Sequence, residues 1–364
     1  MSRLEELATW TGTLRRTARF VRKRGLRRSL RRAFEAIDDL GSRILRGQTA
    51  YERWFADQLE ARASVLDPGA GPGPLVSIVM PVCDPDVRWL EQALASVRRQ
   101  TYPRWQLCIV DDASANPQVR GLLEQWRDRE PRLELLYNDS RQGISRTSNR
   151  ALSIARGEYV ALLDHDDELT ADALSLVVSR ARAQPFDLLY SDEDKISRSG
   201  RLRDPAFKPD RSSDLLRTCM YFGHLCVYRR AFLEELGGFD PVFDGSQDWE
   251  LALRADTRAR RIVHLPAVLY HWRMAHGSTA DPNAEAKPWA YEAGRRAVET
   301  DIARRGERAH IVEGAGRGYA RIVRAPQPDR KVSVLRGSGD AADPTQPPCG
   351  GVDGVGSTGR PQAG

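Results

Sequence analysis

One short run constrains the fold of this chain more than any other: Ala161-Leu162-Leu163-Asp164-His165-Asp166-Asp167, strand-like and apolar until it ends in three carboxylates around one imidazole. A strand that carries acids at its carboxyl end places them on the open edge of a parallel α/β sheet, where ligands sit. In extended backbone, residues two apart project to the same side. Asp164 and Asp166 can then reach one hard cation through oxygen ligands. A solvated acidic turn has the same composition, so the rest of the chain must decide between the two.

A Pro/Gly-rich stretch, Asp-Pro-Gly-Ala-Gly-Pro-Gly-Pro at 67–74, reads as a linker, and a regular alternation follows it. Strands are predicted at 76–82, 106–110, 133–137, 159–163 and 187–190. Helical spacing is predicted at 87–99, 118–127, 145–155 and 171–183. Alternating units of this length imply an α/β fold with a mostly parallel central sheet, right-handed crossovers and helices on both faces. The first strand-to-helix turn, Pro81-Val82-Cys83-Asp84-Pro85, lacks the glycines that a dinucleotide pyrophosphate or a P-loop requires.

Charge is unevenly placed. Residues 1–60 hold fourteen Lys or Arg against eight Asp or Glu, a surplus of six that equals the net charge of the whole chain, +6. Ten of those cations fall between Arg15 and Arg32 with no acid among them, and Leu26, Leu30, Phe34 and Ile37 recur at helical spacing. Residues 15–37 therefore read as a basic amphipathic helix suited to an anionic membrane surface. Nucleic acid is not expected as a partner, because aromatic residues are not interleaved with the cations to stack on bases. The predicted organisation is a basic helical arm at 1–66, a linker at 67–74, one domain at 75–325 and a disordered tail at 326–364, where Gly, Pro, Ser, Asp and Thr dominate. No apolar run reaches the roughly 18 to 20 residues that span a bilayer, and no secretory apolar region opens the chain. A cytoplasmic protein, peripheral at the inner face of the membrane, is expected. The five cysteines form no C-x-x-C pair, so neither a zinc ribbon nor a disulfide framework is indicated.

Seven segments taken in order resemble the family 2 glycosyltransferases. They are Val76-Ser77-Ile78-Val79-Met80-Pro81-Val82-Cys83-Asp84; Leu94-Ala95-Ser96-Val97 with Gln100-Thr101-Tyr102; Val110-Asp111-Asp112-Ala113-Ser114; Gly143 with Asn149; Arg156-Gly157-Glu158-Tyr159; Leu163-Asp164-His165-Asp166-Asp167; and Gly237-Gly238-Phe239-Asp240. The resemblance spans roughly residues 75–280. It implies a GT-A fold, Rossmann-like, and inverting transfer of a sugar from a nucleoside diphosphate donor to a hydroxyl.

That reaction has requirements that can be sought in the residues. A diphosphate leaving group gains negative charge as the glycosidic bond breaks, so a metal or cationic clamp must stabilise it. The resemblance nominates Asp166 as the direct ligand of Mn²⁺ or Mg²⁺. It gives Asp164 the ribose or a water-mediated contact to the metal, and it makes His271, at the end of a strand-like segment, the third ligand. His276 competes with His271. A base must also take the acceptor proton. Asp248, in Asp244-Gly245-Ser246-Gln247-Asp248-Trp249-Glu250, fits it, although Gln247 stands where the family usually has glutamate, and helix capping by Asp248 is the structural alternative. For the nucleotide, the resemblance implies Pro81 and Val82 along the base, Asp84 near the ribose, Asp111 or Asp112 on the imide N–H, and Arg146 and Asn149 over the base or diphosphate. UDP and dTDP present the same imide edge, and both remain open. Asp192-Glu193-Asp194 is a second acidic cluster and a runner-up source of the base. Tyr221, His224 and Trp249 are candidate saccharide platforms that core packing would equally explain.

The expected function is transfer to a saccharide or lipid-linked acceptor in cell-envelope or surface polysaccharide synthesis. A nucleotidyltransferase would carry a Gly-rich loop after the first strand, which is absent. A non-catalytic glycan-binding scaffold would not need Asp166 and Asp248, and both are present.

Overall fold

The computed structural model describes residues 48–63, 73–197, 199–274, 288–314 and 318–325. The basic helix expected at 15–37, most of the linker, His276, Cys349 and the tail from 326 lie outside the described residues.

Helix α1 (Ala50–Ala63) comes first, followed by β1 (Val76–Val82), α2 (Val87–Arg98), β2 (Trp105–Asp111), α3 (Pro117–Arg129), β3 (Leu133–Tyr137), α4 (Ile144–Ser153) and β4 (Tyr159–Leu162). The chain continues through β5 (Glu168–Leu169), α5 (Ala173–Ala183), β6 (Leu188–Ile196), β7 (Leu202–Ala206), the short α6 (Ser213–Leu216), β8 (Cys226–Arg229) and α7 (Arg230–Leu236). It closes with α8 (Gln247–Arg258), β9 (Ile262–Arg273), α9 (Pro288–Arg304) and a hairpin of β10 (Ala309–Glu313) and β11 (Ala320–Arg324).

The main sheet runs β3-β2-β1-β4-β8-β6-β9-β5, with β7 added beside β6. Its first four strands are parallel, as the alternation predicts. Beyond β4 the sheet is mixed: β8 lies antiparallel to both β4 and β6, while β6 and β9 run parallel. Two further antiparallel partners, β7 on β6 and β5 on β9, make the sheet mixed. These added strands are four residues, five residues and two residues long.

Both faces of the sheet are covered. Ile78 and Met80 of β1 join a core with Leu90 and Leu94 of α2 and Leu123 of α3, while Val79 between them joins Ala151 of α4 and Leu251 of α8. A strand buried on both faces must be apolar throughout, which is why β1 reads as a continuous hydrophobic run. Local signals start the helices: the Asp86 side chain accepts from Arg88 N ahead of α2, and Asn116 accepts from Gln118 N with Pro117 at the first turn of α3. The carboxyl ends of β1, β2 and β4 open on one edge, where Asp84, Asp111, Asp112 and Asp164 follow the strands.

Candidate active site

The turn after β4 is fastened to the end of β9. Tyr270 donates its hydroxyl proton to Asp167 Oδ2 at 2.6 Å and accepts from Asp164 N at 3.2 Å. Arg273 N donates to Asp167 Oδ1 at 2.7 Å, Arg273 Nε to the Asp166 carbonyl at 2.6 Å, and Arg273 Nη2 to Glu168 Oε1 at 2.6 Å. These contacts fix the backbone of the turn and occupy Asp167. They leave Asp164 and Asp166 without a side-chain hydrogen bond among the described residues.

Asp248 occupies the first turn of α8, two residues past the N-cap site, which Ser246 holds without a side-chain capping bond, its Oγ donating to the Ala290 carbonyl at 2.8 Å. The capping alternative for Asp248 is therefore not the arrangement seen. The Gln247 side chain folds back to accept from Gly245 N at 2.8 Å. Three of the acids carry raised pKa values. Burial is the largest cause for Asp166, with the Asp164 charge adding and His165 and Arg273 opposing. Burial also pushes Asp167 well above the carboxylate range, reinforced by Asp166 and Asp164. For Asp248, burial raises the value, His224 opposes and Asp164 adds. Asp164 thus acts electrostatically on all three acids, which share one field.

An imidazole enters this field from the loop before β8. His224 stacks on Tyr270, centroids 4.5 Å apart at 16°, and meets Trp272 edge-on at 5.5 Å. One ligand atom from each of Asp164, Asp167 and His224 can lie within 4.8 Å of the others. A brace holds the loop: Lys208 Nζ donates to the Phe222 and His224 carbonyls at 2.7 and 2.5 Å and pairs with Glu193 Oε2 at 3.2 Å, which also accepts from His224 N. Gly223, at φ +45°, leaves room for that carboxylate, since a Cβ there would lie 2.6 Å from Glu193 Oε2.

His271, expected to complete the metal site, points elsewhere. Successive residues of a strand face opposite ways, and Tyr270 and Trp272 take the face toward His224. His271 Nδ1 instead lies 2.5 Å from Asp194 Oδ1, its ring is edge-on to Phe55 of α1, and Tyr51 donates to Asp194 Oδ2 at 2.7 Å. The imidazole beside Asp164 is His224. From sequence it is a candidate saccharide platform only, and nothing in Gly223-His224-Leu225 marks it as a ligand before the loop is folded. Trp249 and Tyr221 are packing residues: Trp249 is buried with Nε1 donating to the Leu216 carbonyl, and Tyr221 packs against Tyr190 and Phe222. The second acidic cluster is likewise engaged, Asp192 with Lys208 N and His264, Glu193 with Lys208, and Asp194 with His271.

The positions nominated for the nucleotide gather at the ends of β1 and β2, and several have protein partners. Pro81 is half-buried and its carbonyl lies 3.2 Å from His165 Nδ1, while Val82 is buried in the core. Asp84 Oδ1 accepts from Ala115 N at 2.7 Å and Oδ2 pairs with Arg141. Asp111 accepts from the Ser114 amide and hydroxyl. Asp112 accepts from Asn138 Nδ2, Gln142 N and Gly143 N, and so holds the loop between β3 and α4. Asn149 uses both ends of its amide on the Phe239 backbone, at 2.7 and 2.8 Å, which fastens the Gly237-Gly238-Phe239-Asp240 segment to α4. Arg146 is exposed and lines a surface cavity of about 360 Å³ with Asn138, Asp139, Ser140, Gln142 and Arg150.

Residues 77–237 match the family model described as glycosyl transferase family 2. The chain is 42% identical over 287 residues to "Uncharacterized protein y4gI" of Sinorhizobium fredii, covering 76% of this chain and 32% of that protein. It is 36% identical over 290 residues to "O-antigen biosynthesis protein RfbC" of Myxococcus xanthus, covering 78% and 22%. It thus spans a third or less of the length of these two relatives. Among solved structures, TarS 1-349 of S. aureus in complex with UDP-GlcNAc superposes with a TM-score of 0.52 at 21% identity, over 63% of this chain and 66% of that one. That likeness supports the fold, GT-A.

Proposed function

Residues 77–237 carry a family 2 glycosyltransferase domain, and from that premise we propose that the chain moves a sugar, with inversion, from a UDP- or dTDP-sugar to a hydroxyl of a saccharide or lipid-linked acceptor. The observation that carries the proposal is the convergence of Asp164, Asp166, Asp167 and Asp248 with His224 at the carboxyl edge of the sheet. Carboxylates that raise one another's pKa make poor packing and a good place for a cation and a proton acceptor. A role in cell-envelope or surface polysaccharide synthesis is supported by the name of the Myxococcus relative, and the cationic arm at 15–37 suits work at the inner face of an anionic membrane.

The donor set fits a hard divalent ion such as Mn²⁺ or Mg²⁺. Geometry nominates Asp164, Asp167 and His224, and the resemblance nominates Asp166. A bound cation supplies charge neutralisation to the departing diphosphate. The remaining work falls to the chain. Asp248, with no side chain donating to it among the described residues, takes the proton from the acceptor hydroxyl at its carboxylate oxygen. The Tyr270 and Arg273 fasteners hold the acidic turn so that its carboxylates need no rearrangement, and Asp111 or Asp112 accepts from the imide N–H of the base.

The test is a thermal-shift and donor-hydrolysis screen of UDP- and dTDP-sugars with and without Mn²⁺ or Mg²⁺. One donor is expected to stabilise the wild type in a metal-dependent way, and Asp166→Ala to lose that response. Asp248→Asn is expected to keep donor binding while turnover drops by about 10²- to 10⁴-fold. Absence of stabilisation by any nucleotide sugar would overturn the reading.

A further inference from the structure

Two aromatic side chains stand outside the core, close in sequence to the cationic arm or packed on the helix that follows it. Trp54 of α1 is 40% exposed, and Phe207, directly after β7, is 61% exposed. Their rings meet edge-on with centroids 5.6 Å apart, and Tyr51 stacks on Trp54 at 5.6 Å. Both backbones are fixed from inside by other residues. Tyr51 donates to Asp194 and Glu52 pairs with Arg201 on the α1 side. Lys208, next after Phe207, gives its amide to Asp192 and its ammonium to Glu193. The two rings therefore keep surface that folding does not bury.

Size and setting select a partner for that surface. Two rings offer far less than the roughly 800 Å² per side that a stable protein interface buries. Arg53 and Asp57, both exposed on α1, leave its flanks without net charge. Aromatic rings of this kind settle at the headgroup level of a bilayer. The patch is also tethered to cations, because residues 38–49, which separate the arm from α1, can span at most about 40 Å. Residues 1–47 carry thirteen Lys or Arg against five Asp or Glu, so an anionic surface drawn to them comes within reach of Trp54.

We propose that Trp54 and Phe207 insert into the headgroup region of an anionic membrane and, with the arm, seat the domain on it. The inference rests on the reading of the arm as membrane-seeking, to which it adds the face of the fold that meets lipid. One weak signal anchors a protein only marginally, and two together hold it. The seat also sets an orientation. Asp194 and His271 face α1, whereas Glu193 and Tyr270 turn to the other side of β6 and β9, toward His224 and Asp167. A membrane against α1 thus leaves the acidic cluster uncovered. A purely structural account of the ring pair is an aromatic clasp between α1 and the end of β7, which would confer stability and no affinity for lipid.

The experiment uses the full chain with vesicles of phosphatidylcholine and phosphatidylglycerol, partition being read by sedimentation and insertion by quenching with brominated lipid. Trp54→Ala and Phe207→Ala are each expected to lower partition about tenfold, the value of withdrawing roughly 60 Å² of ring from water. Phe207→Trp is expected to keep it. Brominated lipid should quench the wild type more than Trp54→Phe, a difference that isolates one of the eight tryptophans. Wild-type partition in the double substitution Trp54→Ala with Phe207→Ala overturns the proposal, and so does equal quenching of wild type and Trp54→Phe. A lowered melting temperature with unchanged partition leaves only the clasp. Substitutions that dissociate a dimer and spare partition assign the patch to protein and overturn the proposal as well. Failure of the arm reading looks different: the wild type then stays in the supernatant, and the aromatic seat falls with it.

Discussion

At the scale of single residues, His224 and His271 show how far a sequence reading reaches. The acidic run is legible as a strand end at the sheet edge because the apolar residues of β4 give way abruptly to carboxylates. The imidazole is not, because choosing between two histidines requires the phase of β9 and the path of a loop. A one-residue shift in a strand moves a side chain to the other face of the sheet, and that shift separates Tyr270, bonded to Asp167, from His271, bonded to Asp194. The two histidines therefore differ in expected phenotype. His224→Ala should weaken Mn²⁺-dependent thermal stabilisation with little change in the metal-free melt. His271→Ala should keep the metal response and lower stability by about 1–3 kcal/mol, since it strips a partner from the fully buried Asp194. Identical losses of metal response would contradict the assignment. The cysteines give an independent check on the same scale. Burial pushes the thiols of Cys108 and Cys226 up to about 12, so neither should react with a disulfide reagent at pH 8 in the folded protein, whereas both should react once it is unfolded.

The elements divide by how much apolar surface each buries in its own sequence. β1, β2 and the long helices bury enough to be seen, and their expected spans differ from the observed ones by only a few residues. The antiparallel insertion of β8 is not legible because its placement between β4 and β6 is decided by partners distant in sequence. The loop ahead of β8 depends on a similar long-range device, the Lys208–Glu193 brace, with side chains only 5% and 11% exposed. Removing one member of such a pair leaves a buried charge and costs about 3–5 kcal/mol, while removing both costs less than the sum. Lys208→Met and Glu193→Gln should each destabilise by that order, and a double-mutant cycle by denaturant titration should show strong coupling. Additive losses would mean that the loop is held by something else. A backbone device acts where α4 begins. Gly143 has φ +87°, and a Cβ there would lie 2.5 Å from Asp244 Oδ2, whose partner oxygen accepts from Ser145 N. Gly143→Ala should therefore cost about 1–3 kcal/mol in the same titration, with far-UV circular dichroism unchanged.

At the scale of the whole molecule, the boundary of the folded domain lies ahead of α1. Sequence composition places the boundary at the Pro/Gly-rich stretch after residue 66 and assigns everything before it to the arm. Helix α1 escapes that reading as part of the fold because it shows almost no apolar stripe, with Phe55 its one buried residue. It attaches by polar and aromatic contacts that no periodicity reveals: Tyr51 to Asp194, Phe55 against His271, Glu52 to Arg201, and Arg62 to Asp172 at 3.1 Å. The charge bookkeeping changes with the boundary. Residues 1–47 contain thirteen Lys or Arg against five Asp or Glu, a surplus of eight, so the cationic excess lies entirely ahead of α1. Two truncations then separate the roles that one long deletion would confuse. Removal of residues 1–47 should abolish sedimentation with anionic vesicles, since each basic residue near such a surface contributes about 1 kcal/mol, and should leave the melting temperature and donor hydrolysis near wild type. Removal of residues 1–66 should also lower the melting temperature, because Asp194 and Asp172 lose their partners on α1 and the ring of His271 loses its cover. The lipid assignment fails if the shorter truncation still sediments, or if wild-type sedimentation persists at high salt, where attraction between exposed charges is screened.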